Sequence, residues 1–443
     1  MRHGALGGRH DVLSPALGAS DPAGFGGCRA AGNEQGLRIG AANASTISER
    51  EQKFLHAAAL IFTDAASVPY RIRAASYERA MADLAAANKQ DDEAQVFCAL
   101  ALLANASPAD KTHAKQKQAA DILEPLLRTY PQHPAIPHYL IHAYDNAEMA
   151  QRGLTAAQLY SQIAPSAPHA LHMPSHIFTR LGLWEDSIAA NAAARDAAHR
   201  AGDIGEELHT MDYLVYAYLQ SGRDAEAAAV IGQLKAMPQL KTADFKVGYA
   251  STAMPIRYLV ERERWVDVAL VIPPKPAPPH VIAIAVWARG LGLARSGHAG
   301  EVRKPIDDLQ GIEDPLHAAG NHYWATQVRV MKREVVAWAA RANHMDEEAV
   351  SLLRQAAEEE DALEKLPVTP GPIVPAREQL GDMFLEQRQP DLAAKEFQAA
   401  LTLAPGRRGS LRGGKKAAEL RAATNAGALE PTLRRRIPHD RRR

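Results

Sequence analysis

The sequence predicts an all-α solenoid, a stack of antiparallel helix pairs, and three observations predict it. Apolar residues fill 47% of the 443 positions, weighted to Ala and Leu, while aromatics are only 6%. Strand-favouring runs of Val, Ile and Thr are scarce, which argues against a sheet. A helical apolar period sets in at Ser48 and continues to about Leu403, with Pro and Gly punctuating it at intervals suited to paired helices.

The boundaries follow in order. Residues 1–45 hold many Gly, Ala and Pro with no sustained period, and are expected to be disordered. Residues 46–405 are expected to form the solenoid. The stretches Pro273–Pro279 and Pro367–Pro375 read as loops between helices. Residues 406–443 are expected to be a basic, disordered tail, with 12 Lys or Arg against 3 Asp or Glu from Arg407 onward.

The third observation is a repeat. Its clearest copy is Leu380-Gly381…Phe384…Ala393…Phe397…Ala400…Pro405. Small residues let two helices cross closely, phenylalanines fill the space between them, and the proline closes the second helix. This is the tetratricopeptide-repeat pattern. Looser copies surround Gly182, Gly222, Trp265, Gly297 and Trp338. One pair cannot bury its apolar face alone, so neighbours stack. Trp184, Trp265 and Trp338 recur within the pattern and read as packing residues.

The functional clue lies in three successive helix starts: His138…His142…Asp145, then His169…His172…His176, then His209…Asp212. His169 and His209 both fall 13 residues before a glycine, Gly182 or Gly222. His172 and Asp212 fall 10 before it, and His176 and Tyr216 fall 6 before it. Residues i, i+4 and i+7 share a helix face. The first helix of each pair lines the concave side, so these residues should meet in one groove. Pro174 marks a helix start. The ideal same-face spacing of His169 and His172 with His176 should therefore be lost.

Two readings stay open. One is a non-enzymatic scaffold whose groove, built from His138, His142, Asp145, His169, His172, His176, His209, Asp212, Tyr216 and Arg257, binds a protein or peptide partner. The other is a zinc-like metal site on His138, His142, His172 and His176, with a metal-dependent hydrolase as its extension. Asp145 or Asp212 would be an oxygen ligand or would orient an imidazole.

No catalytic residue is assigned. His138…His142 lacks the metalloprotease glutamate, because Tyr139 stands in its place. There is no nucleophile elbow and no phosphate-binding loop. Gly290 and Gly292 fall inside a helical pattern. Glu358–Asp361 reads as a solvated helix end. Zero formal net charge gives no general attraction for nucleic acid, and no apolar run is long enough to span a bilayer. The two cysteines suggest no disulfide framework.

The motifs His138-Tyr-Leu-Ile-His142-Ala-Tyr-Asp145 and His169-Ala-Leu-His172-Met-Pro-Ser-His176-Ile-Phe resemble a family of bacterial tetratricopeptide-repeat proteins of unassigned function. Met254-Pro255…Arg257 and Pro367…Pro372…Glu378…Gly381-Asp382 support the resemblance, which covers about Ser48 to Pro405. It implies an upstream repeat pair, often after an export signal, and the first 45 residues resemble neither. The chain as written is expected in the cytoplasm, and a chain with such a signal in the periplasm.

Overall fold

The computed structural model describes residues 47–434 apart from 63, 65 and 66, with side chains to 424. The segment expected to be disordered at the N-terminus lies outside the described residues. Among the described residues there is no strand. The helices are α1 (Glu49–Phe62), α2 (Tyr70–Ala87), α3 (Asp92–Ala104), α4 (Ala114–Thr129), α5 (Ala135–Tyr144), α6 (Leu154–Ile163), α7 (Pro168–His172), α8 (Pro174–Leu181), α9 (Trp184–Ala201) and α10 (Ile204–Gln220). They continue as α11 (Asp224–Ala236), α12 (Phe245–Glu261), α13 (Trp265–Ala269), α14 (Pro279–Arg295), α15 (Arg303–Ala318), α16 (His322–Ala342), α17 (Asp346–Asp361), α18 (Ala376–Glu386), α19 (Pro390–Leu403) and α20 (Arg408–Arg434).

Local chemistry sets the helix ends. Asp91, Asp203 and Asp244 each accept a backbone N–H three residues on, from Ala94, Glu206 and Val247. Each such cap contributes about 1 kcal/mol. Gly182 ends α8 with φ +69°, and a Cβ there would lie 2.4 Å from the Pro405 carbonyl oxygen. Only glycine meets both demands.

Consecutive helices pack in sequence order, as an α-solenoid requires. The first helices of successive pairs also touch, so α3, α5, α7 with α8, α10, α12, α14 and α16 form an inner row. Three main apolar clusters run along the chain, roughly 54–178, 188–254 and 249–417. In the repeat read most clearly from sequence, Leu380, Phe384, Ala393, Phe397 and Ala400 are all buried.

Two expectations need correction. The basic tail is not featureless: α20 covers Arg408–Arg434, and Arg407 before it is fully buried. The Arg407 guanidinium lies 2.9 Å from Glu261 and 2.8 Å from Glu378. The tail also meets the middle of the solenoid, where Trp184 Nε1 donates to the Gly406 carbonyl and Arg408 pairs with Asp224 at 2.7 Å. The first arginines of the run are thus spent on internal acids. Likewise the end of α17 is not merely solvated, since Glu360 accepts from the Ala376 amide and Asp361 pairs with Arg377.

The loop Leu363–Pro375 is the other feature that positions the site. It crosses the inner row. The Glu364 amide donates to the Pro108 carbonyl, and Tyr213 donates to the Pro367 and Thr369 carbonyls. Arg257 donates to the Gly371 and Pro372 carbonyls. The inner row of helices therefore carries a strap of its own chain.

Candidate metal centre

Four inner helices deliver the histidines. His138 and His142 lie one turn apart on α5, His169 and His172 on α7, His176 on α8 and His209 on α10. The rings converge as two adjacent triads, His138–His142–His169 and His172–His176–His209. Within each triad, one nitrogen per ring lies within 4.8 Å of the others.

Pro174 interrupts this less than its chemistry suggests. Met173, between α7 and α8, keeps helical angles (φ −51°, ψ −38°), and the His176 amide still reaches the Met173 carbonyl. His172 and His176 therefore remain neighbours, with Nε2 atoms 3.0 Å apart. His169 turns to the other triad, placing its Nε2 3.2 Å from that of His138. His142 Nε2 is also 3.2 Å from His138 Nε2.

The far side of the second triad fixes its protons. The Asn191 amide donates to the Ser187 carbonyl, so its oxygen faces His172 Nδ1 at 2.7 Å and can only accept. His172 therefore carries its proton on Nδ1. His176 Nδ1 lies 2.9 Å from Asp145 Oδ2 and donates to it. In the neutral rings both Nε2 atoms are then lone pairs, aimed at each other.

Burial favours the neutral rings. His172, His176 and His209 are buried. Desolvation, then neighbouring imidazoles or Lys246, pushes His142, His172 and His209 well below the usual histidine range. Desolvation also lowers His176, against the pull of Asp145.

Asp145 organises one edge. Besides His176 it accepts from Arg180 Nε at 2.8 Å and Lys365 Nζ at 2.9 Å. Burial alone would raise its carboxyl, but Lys365, Arg180 and His176 hold it well below the usual carboxylate range. Burial brings Lys365 down to about 8, with Asp145 opposing. On the opposite edge, Glu206 Oε1 stands 3.6 Å from His169 Nδ1.

The remaining expected site residues lie apart from the histidines. Asp212 faces Arg257 Nε at 3.5 Å, and both are fully buried. Burial raises the Asp212 carboxyl despite Arg257. Tyr216 lies under the Arg257 guanidinium, 5.0 Å from ring centroid to carbon. Of the nearby tyrosines, Tyr213 packs edge-on against His172, while Tyr144 donates to Glu124 on α4.

Asn191, Arg180, Glu206 and Lys365 were not anticipated. Arg180 falls one turn after His176, a usable signal. Lys365 lies 220 residues from Asp145 and gives no local one.

The two triads differ in access. His142 and Asp145 help line a small cavity of about 70 Å³ under Lys365. The second triad is sealed. Three nitrogens per centre suit a divalent transition ion with one position left for water or an anion. Among the described residues, no helix is long and apolar enough to cross a membrane.

No family model matches the chain, and no curated protein matches it. Among solved structures, one match is described as a "Circular tandem repeat protein with novel repeat topology and enhanced subunit contact surfaces". It is 13% identical, over 96% of this chain and 90% of that one, with a TM-score of 0.14. A score this low informs neither shape nor function.

Proposed function

We propose that this helical repeat protein binds divalent transition-metal ions of the zinc type, with one ion held by each histidine triad. The observation that carries the reading is the facing pair of His172 and His176 Nε2 lone pairs, 3.0 Å apart in a buried site. Two lone pairs at that distance repel unless a cation lies between them. A shared proton would charge a ring that burial keeps neutral. A metal ion needs no such charging.

The spacing suits it. Two ligands on a tetrahedral zinc with bonds of about 2.0–2.1 Å sit about 3.3–3.4 Å apart. The Nε2 separations of 3.2 Å from His138 to His142 and His169, and of 3.0 Å between His172 and His176, are within a few tenths of that, and His209 completes its triad within 4.8 Å. The partners on Nδ1, Asn191 and Asp145, are what a ligating imidazole requires to point its other nitrogen inward.

The partner-binding reading stands second. The inner surface hydrogen-bonds backbone carbonyls through Tyr213 and Arg257, but the backbone it holds is its own strap. A peptide would have to displace residues 364–373 first.

Elemental analysis of the purified full chain, with zinc and cobalt titration after chelation, tests the proposal. Up to two ions per chain are expected, together with a cobalt absorption spectrum typical of nitrogen ligands. No bound metal and no saturable uptake of either ion would overturn it.

A further inference from the structure

Next to the histidine face, but separate from its ligands, is a cavity of about 150 Å³. Tyr249, Trp287, Tyr323 and Trp324 supply its aromatic walls, and Glu334 and Glu360 enter from α16 and α17. A cavity of this volume accommodates a molecule of benzene size.

Its lining carries four cations, Lys111, Arg180, Lys365 and Arg377, and four acids, Glu334, Glu360, Asp361 and Glu364, but they are not evenly paired. The cations at its edge already have acids. Arg180 is held by Asp145 and Glu364, and Lys365 by Asp145. Lys111 is held by Glu364, and Arg377 by Asp361 and Glu396. Among the described residues, neither Glu334 nor Glu360 forms an ion pair.

Glu334 is buried, and its donors are neutral: Trp287 Nε1 at 2.6 Å and Gln379 Nε2 at 2.7 Å. Glu360 accepts from the Ala376 amide at 2.8 Å. Burial, then the like charge of Glu360, pushes the Glu334 carboxyl well up. In the empty cavity such a buried acid keeps its proton, and a cation sharing its space would favour the carboxylate. Aromatic faces attract the same kind of ligand.

We infer that this cavity is a binding site for a small organic cation, an amine carrying an apolar group of about benzene size, held between the aromatic walls and the Glu334 and Glu360 carboxylates. The site takes none of its ligand-facing groups from the histidine triads, although Arg180 and Lys365 at its edge also hold Asp145. Its ligand is organic rather than a metal, and none of the six histidines lines the cavity.

The test uses the intact chain and three probes of one shape: benzylamine, benzyl alcohol and benzoate. Trp287 and Trp324 report binding by their fluorescence. Saturable binding of benzylamine is expected, with benzyl alcohol roughly tenfold weaker or more and benzoate weaker still. Glu334→Gln should abolish the preference for the amine. If that variant loses helical content, Glu360→Gln replaces it, and the probe series on the unaltered chain decides the matter alone. Equal affinity for amine and alcohol, or no saturable amine binding, would overturn the inference. Zinc added beforehand should leave the amine affinity unchanged. Competition by zinc would place the amine at the histidines and would also overturn it.

Discussion

The inner surface carries two buried polar regions that the sequence reads as one groove, and they are closed in different ways. Around Arg257 the chain supplies its own counter-charge and acceptors, although Arg257 Nε and both Asp212 oxygens make no hydrogen bond. Asp212 faces the guanidinium, Tyr216 stacks on it, and the strap supplies the Gly371 and Pro372 carbonyls. Around His172 the outer nitrogens are satisfied while the inner ones are left facing each other. The first arrangement is balanced in charge by an acid and a base of the chain itself. The second, on the proposed reading, is completed by a cation. A buried polar residue is thus a candidate ligand not because it is polar, but because its partners have already fixed the atom it points inward.

The largest effect should come from the second triad. His172→Ala or His176→Ala removes a ligand, so metal affinity should fall by more than the roughly 10–100-fold typical of losing an outer partner. Isothermal titration with zinc checks it, and unchanged affinity would dissolve the distinction between the two regions.

Arg257→Met should act in the opposite sense, on stability alone. Removing one partner of a buried ion pair costs about 3–5 kcal/mol, because the other charge is left uncompensated. Metal stoichiometry should not change. A loss of bound metal in Arg257→Met, at a temperature where the variant is folded, would show that the two regions are one site after all.

Asp145→Asn tests the link between them and the strap. The amide cannot hold His176 Nδ1–H as the carboxylate does, and it releases Arg180 and Lys365. Zinc affinity at the second triad should drop by about 10–100-fold. Loss of affinity only at the more open first triad would mean that Asp145 serves the cavity under Lys365 rather than His176.

How much of this was legible beforehand depends on what sequence can encode. The solenoid was, because apolar period and the small–aromatic pattern around Gly381 and Phe397 are local. The meeting of His138, His142, His172 and His176 on the inner row followed from repeat spacing. The division into triads did not, because it depends on Met173 staying helical beside Pro174. Asp212 aligned with His172 in the repeat yet went to Arg257, since the repeat fixes a helix face but not which neighbour occupies it. The loop at Pro367–Pro375 is legible from its prolines, but its contacts across the inner row and the burial of Arg407 are not. Both are contacts between segments far apart in sequence, and Arg407 resembles its solvated neighbours until Glu261 and Glu378 are placed around it.

The smallest predicted effect is one of pH, and its sign separates the histidines from the buried acids. In the metal-free protein the folded pKa of His209 lies well below 6.5, through burial and then Lys246. Below pH 6.5 the unfolded chain binds a proton that the folded chain refuses, so stability falls as pH falls. The slope is at most about 1.4 kcal/mol per pH unit for each such histidine. Glu360 and Asp382 act the other way, because burial raises both to about 7. In that same window the folded state holds protons that the unfolded state has released. The curve of the unaltered chain is therefore a difference of opposing terms, and its own slope decides nothing. His209→Ala removes one histidine and leaves both acids. Chemical denaturation of chelated protein between about pH 7 and pH 5 should show the unaltered chain losing stability faster than His209→Ala, by up to about 1.4 kcal/mol per unit. Parallel curves would mean that His209 takes up its proton in the folded state. Its ring would then carry charge beside His172, and the neutral, lone-pair-bearing second triad would not exist.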